Sequence, residues 1–228
     1  MGDGEMILAN ADEKRLDTFC QKQFARTITP EELETAQIWM RDAVLKSTIL
    51  GLPTQRHCEK SVLWNGLFEH YRGLESAFPN RWVPKNYCTI DAHFELLQSG
   101  ALFSLLAEVE KVTIVSPHQV TERLRARFPN IRNVEYYSIP GEQQYEVVKN
   151  RSVDVFGRFA EIRGSLSSQP RQGQLLLFGA GPLGKSFGSC FSQSGGVALD
   201  LGSVFDLFVG KRTRGKGKGA TATTEPVL

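Results

Sequence analysis

No run of about 18 apolar residues occurs anywhere in the chain, which excludes a sequence pattern for a membrane-spanning helix. A charged stretch followed by an apolar core, the mark of a secretory leader, is also missing from the amino-terminal residues. Cysteine is scarce: Cys20, Cys58, Cys88 and Cys190 stand far apart, with no CxxC pair and no Cys/His group of zinc spacing. They read as reduced, partly buried thiols, and the expected location is cytoplasmic. Net charge is small, at +2. Lys211, Arg212, Arg214, Lys216 and Lys218 face only Glu225 within residues 211–228, so the rest of the chain is slightly acidic. A body of that sign is not a nucleic-acid surface. No internal repeat is present.

What is there fits a soluble globular chain: 228 residues, 41% hydrophobic and 23% charged. Short apolar runs at 47–53, 111–117, 133–140, 174–180 and 197–203 read as buried strands, each ending in Gly, Pro or Ser. Longer amphipathic stretches lie between them. Thr29-Pro30-Glu31-Glu32 is a capping box with Pro at the first helical position, opening a helix through ELETAQIWMRDAVLK. Further helices are expected near 57–76, 91–109, 118–128, 142–163 and 182–194. Strand–helix alternation of this kind predicts an α/β fold: a Rossmann-like, mainly parallel sheet with helices on both faces. Residues 1–210 are expected to form one domain. Residues 211–228, rich in Gly, Thr and Lys, are expected to be a disordered basic tail. The chain opens on MGDGEM without a strand, and a strand is expected upstream of it.

Two motifs carry chemistry. In LLLFGAGPLGKSFGSC, residues 175–190, Gly179, Gly181 and Gly184 spell GxGxxG, while Gly179 to Ser186 also spell GxxxxGKS. The P-loop reading would use Lys185 and Ser186, but few strands follow it and Pro182 stiffens the loop centre. The dinucleotide reading has its strand–helix–strand context, with Asp200 near the place of a ribose-binding acid. A purely structural tight turn fits too. A third functional reading has the helix amino terminus near Pro182 facing a diphosphate. The second motif, Asp3-Gly4-Glu5, would put two carboxylates on one side if residues 2–6 are extended, with Gly2 and Gly4 allowing a sharp turn. Hard oxygens so placed suit Mn2+ or Mg2+.

Together, GDGE at one end and GAGPLGKSFGSCFSQSGGVALDLGS near the other resemble the GT-D class of glycosyltransferases. Gly51-Leu52-Pro53, Ile114-Val115-Ser116 and Ile139-Pro140 match its intermediate strand ends in order. Two departures are visible. The family's arginine ahead of GDGE would fall before Met1, and Ser203, with Asp206 three residues on, stands where many relatives have His. The resemblance implies sugar transfer from a nucleotide-sugar donor, UDP-linked, to a glycan, glycoprotein or other hydroxyl acceptor. It implies a metal on Asp3 and Glu5, and donor binding by Gly2, Gly4, Gly179, Gly181, Gly184, Asp200 and Ser203. Asp206 and His118 are the leading candidates for the base, with Asp91 and His93 behind them. His57 and His70 read as helix-surface or core residues, and Trp64 and Trp82 as buried or stacking aromatics. The alternatives are a Rossmann-like dinucleotide-binding oxidoreductase and a non-catalytic nucleotide-sugar-binding relative.

Overall fold

The structure, a computed structural model, describes residues 5, 7, 8, 13–60, 62–142, 154–211 and 227–228. In chain order it contains α1 (Glu13–Phe24), α2 (Pro30–Lys46), β1 (Ile49–Leu52), α3 (Gln55–Cys58) and α4 (Val62–Ala77). There follow β2 (Asn86–Thr89), α5 (Ala92–Gln98), α6 (Ala101–Glu108), β3 (Lys111–Ser116), α7 (Thr121–Arg127) and β4 (Asn133–Ser138). The last third holds α8 (Val155–Ser167), β5 (Leu175–Phe178), α9 (Lys185–Gln193), β6 (Val197–Asp200) and α10 (Val204–Phe208).

The expected capping box is formed. Glu32 N donates to Thr29 Oγ1 at 3.3 Å, and Thr29 N donates back to Glu32 Oε2 at 2.9 Å. Glu32 also takes both guanidinium nitrogens of Arg26, at 2.7 and 2.6 Å, which ties the end of α1 to the start of α2. Thr29→Ala removes one of these donors' partners and is expected to cost about 1 kcal/mol in urea unfolding.

Among the described residues all pairings are parallel. One sheet has the order β4-β3-β5-β6; the other pairs β1 with β2. The central strands β3 and β5 are buried along nearly their whole length, which is why their sequences are continuous apolar runs. The strand period of two still sorts their side chains. Leu176, Phe178 and Val115 enter one core with Phe19, Met40, Phe159, Phe187 and Phe191. Leu175, Leu177, Val112 and Ile114 enter the opposite core with Leu106, Leu124, Phe205 and Phe208. A smaller third cluster joins Val44, Leu50, Leu67 and Tyr71 beside β1. Helices therefore cover both faces of a parallel sheet, as the alternation predicted. No helix among the described residues is long and apolar enough to cross a membrane.

Three elements lie outside the sequence expectations. α1 and α10 were not expected, and β2, Asn-Tyr-Cys-Thr, has no apolar run. It is a strand because β1 and its flanks accept its amides: Asn86 N reaches Thr48 O at 2.8 Å, and Ile90 N reaches Leu52 O at 3.0 Å. The expected helix 91–109 is two helices, broken at Gly100, whose φ of +76° only glycine adopts readily. Within the expected helix 142–163, residues 143–153 lie outside the described set; α8 starts after Asp154, whose Oδ1 caps Gly157 N at 2.8 Å. The expected tail lies outside it over residues 212–226. Val227 N donates to Leu207 O at 3.2 Å.

Candidate functional site

Strand order places the site. From β3 the chain moves outward to β4; from β5 it moves the other way to β6. The reversal lies between β3 and β5, and loops leaving the carboxyl ends of such strands diverge to leave a crevice. β3 leads to His118, and β5 leads to the turn Gly179–Gly184. β6 leads through Asp200 to Asp206. His118, residues 179–183 of the turn, Asp200 and Asp206 line one open cleft of about 2150 Å³; Gly184 does not.

The glycines of the turn have local reasons to be glycine. A Cβ on Gly179 would stand 2.5 Å from Gly202 O and 2.7 Å from Phe205 Cδ2. Gly181 has a φ of +59°, and a Cβ on Gly184 would collide with Ala180. Gly184 N and Lys185 N donate back into the turn, to Gly181 O at 3.2 Å and Pro182 O at 3.3 Å. These two N–H groups thus close the turn. Gly179→Ala is expected to destabilise the chain by about 3 kcal/mol, because the obstacle is backbone rather than a movable side chain. Thermal unfolding measures it.

Lys185 is the first residue of α9, and its ammonium stands 3.1 Å from Glu5 Oε1 and is ion-paired with Asp200 Oδ2. Glu5 is buried. Burial alone would raise its pKa, but Lys185 above all, with the positive amino terminus and the local backbone, outweighs that and brings it down to about 2. The same two carboxylates, against the cost of burial, hold Lys185 above its ordinary value. Asp200 Oδ1 also accepts from Gly202 N at 3.1 Å.

The two leading base candidates meet. His118 Nε2 lies 2.7 Å from Asp206 Oδ1, both side chains largely buried. With the proton on Nε2, the imidazole donates to Asp206 and keeps Nδ1 as its basic nitrogen. His118 N donates to Ser116 Oγ at 3.0 Å, which fixes the loop after β3. His93 lies beyond Asp200, where a Cβ on Gly202 would be 3.9 Å from its Nε2. Burial, opposed only in part by Asp200, holds its pKa below the ordinary histidine value. Asp91 pairs with His57 Nε2 at 3.5 Å, and the Trp64 ring meets His57 edge-on. All three line the cleft, so His57 is a cleft residue rather than a surface one. His70 is half-buried on α4. Trp82 packs on the third cluster beneath the Lys85 ammonium.

The fold thus brings Glu5, Lys185, Asp200, Ser203, His118 and Asp206 to one cleft. Gly2, Asp3 and Gly4 lie outside the described residues. Sequence reasoning missed the clamp of Lys185 between Glu5 and Asp200, whose only signal was the positive residue at the head of a helix. Among the described residues, no three His, Cys, Asp or Glu side chains gather as a metal cage. Two carboxylates do converge on one positive charge, and oxygens that hold an ammonium also suit a hard divalent cation.

No protein-family model and no curated protein matches the chain. Its fold is similar to a solved structure described as a selenomethionine-substituted domain of unknown function 1792 (DUF1792). The TM-score is 0.50 at 17% identity, over 89% of this chain and 70% of that one.

Proposed function

We propose that this chain is a glycosyltransferase moving a sugar from a nucleoside-diphosphate donor, UDP-linked, to an acceptor hydroxyl. The observation that carries the reading is the His118–Asp206 pair, set at the strand-order reversal in the same cleft as Lys185. The parallel α/β fold and the GDGE and GAGPLG motifs support it. His118 Nδ1 would take the acceptor proton, while Asp206 orients the ring and balances the imidazolium that forms. Lys185 supplies positive charge where the leaving diphosphate gathers negative charge. Asp3 and Glu5 would hold Mn2+ or Mg2+, which supplies Lewis-acid neutralisation of the diphosphate when bound. His57, Asp91 and Trp64, on the opposite wall, offer a polar and aromatic surface to the acceptor.

Calorimetry with UDP and with NAD, each with and without Mn2+, tests the proposal, followed by UDP-sugar hydrolysis. The expected result is Mn2+-dependent UDP binding and slow hydrolysis. NAD binding indifferent to Mn2+ would overturn it. UDP binding without hydrolysis or transfer to any hydroxyl acceptor would leave a nucleotide-sugar-binding protein without turnover.

A further inference from the structure

α10, which carries Asp206, is five residues long. A helix of little more than one turn closes too few bonds to hold itself, so its orientation is set from outside. Val204, Phe205 and Phe208 bury it in the core it shares with Leu124 of α7. Apolar contact is non-directional. It fixes how deep the helix lies and leaves roll about its axis open. A roll would swing Asp206 away from His118.

A side chain away from the cleft opposes that roll. Arg123, on α7, donates from Nη1 to the carbonyl oxygen of Phe208, the last residue of α10, at 2.9 Å. The donor is charged, so the bond is stronger than a neutral one. The same α7 follows directly from His118. Its entry is pinned at Ser116 Oγ, which takes His118 N at 3.0 Å, and at Gln119 Oε1, which takes Thr121 N at 3.2 Å and Thr121 Oγ1 at 2.6 Å. The bond from His118 to Asp206, at 2.7 Å, and the bond from Arg123 to Phe208 therefore close a ring through α7 and α10. Two elements joined at one point can pivot; joined at two, they keep their angle.

We infer that Arg123 is a positioning residue, which holds α10 at the roll that sets Asp206 against His118. Arg123 is itself exposed, so its replacement leaves the core untouched and changes stability little. What it changes is the geometry of the pair, and pairs that act on a substrate are sensitive to small displacements. The geometric part of the inference is independent of the proposed function; its effect on turnover rests on that reading.

Proton NMR of the whole chain tests it, on Arg123→Met, Arg123→Lys and Arg125→Met. Arg125 lies on the same helix but pairs with Glu122, at 3.5 Å. The readout is the His118 Nε2–H signal, assigned by its absence in His118→Gln and sharp only while Asp206 shields the proton from water. Expected in Arg123→Met is exchange of that proton at least about 10-fold faster, at a melting temperature near the parent's. Arg123→Lys retains a charged donor and is expected to keep most of the protection, and Arg125→Met all of it. Turnover is expected to fall about 10- to 100-fold in Arg123→Met with donor affinity unchanged. An unchanged signal in Arg123→Met would overturn the inference. So would a parent without the signal, because the pair then does not meet. A parent that shows the signal but transfers no sugar counts against the proposed function instead, and the exchange rate alone then decides the role of Arg123. Should Arg123→Met not fold, Arg123→Ala gives the same comparison.

Discussion

Replacing Lys185 with Met is expected to cost about 3–5 kcal/mol at pH 7, because it leaves the buried Glu5 carboxylate without its counter-charge. The sign of the pH dependence is the sharper result. In the parent, Glu5 titrates near 2 when folded against 4.5 as its ordinary value. A depressed carboxylate stabilises the fold fully above 4.5, and that stability drains away as pH falls toward 2; its size is about 3 kcal/mol. In Lys185→Met the burial cost acts with its main opposition gone, so the folded value moves up past the unfolded one. The variant is then least stable at neutral pH and regains stability on acidification from pH 7 to pH 4. Urea unfolding across that range reads both slopes. Adding Glu5→Gln to Lys185→Met removes the stranded charge and is expected to restore most of the loss at pH 7. A Lys185→Met protein that keeps the parent's slope would show that Glu5 does not lean on Lys185.

Asp206→Asn is expected to lower sugar-transfer turnover by about 100- to 10,000-fold while leaving donor affinity near the parent value. The amide preserves size but cannot balance an imidazolium, and its NH2 group, if turned to the ring, selects the wrong tautomer of His118. His118→Gln should fall by a similar factor, and the double variant no further, because the two act as one unit. Parent-like turnover in Asp206→Asn would remove the dyad from the chemistry and return His118 to loop anchoring through Ser116.

How much of this was legible depended on how far apart the partners were. Thr29 and Glu32 make their reciprocal bonds within one helical turn, so the capping box declared itself and formed. The apolar runs of β3 and β5 were visible for a related reason: burial on both faces leaves little room for a polar residue. β2 left no such trace, since Asn86 and Tyr87 are exposed and its strand state is imposed by the carbonyls of Thr48 and Leu52. The glycines of GAGPLG were legible as a turn but not in purpose. The approach of the Gly202 backbone and the Phe205 ring explains why Gly179 has no side chain.

Sequence alone determined the fold class, the place of the α2 cap and the residue types available for chemistry, since local periodicity and short-range hydrogen bonds set these. Tertiary structure alone decided that His118 faces Asp206 and that Lys185 is clamped between Glu5 and Asp200. Those meetings follow from which strands lie side by side. That order comes from burying both faces of β3 and β5 at once, a condition satisfied by the whole chain and written in no single stretch of it.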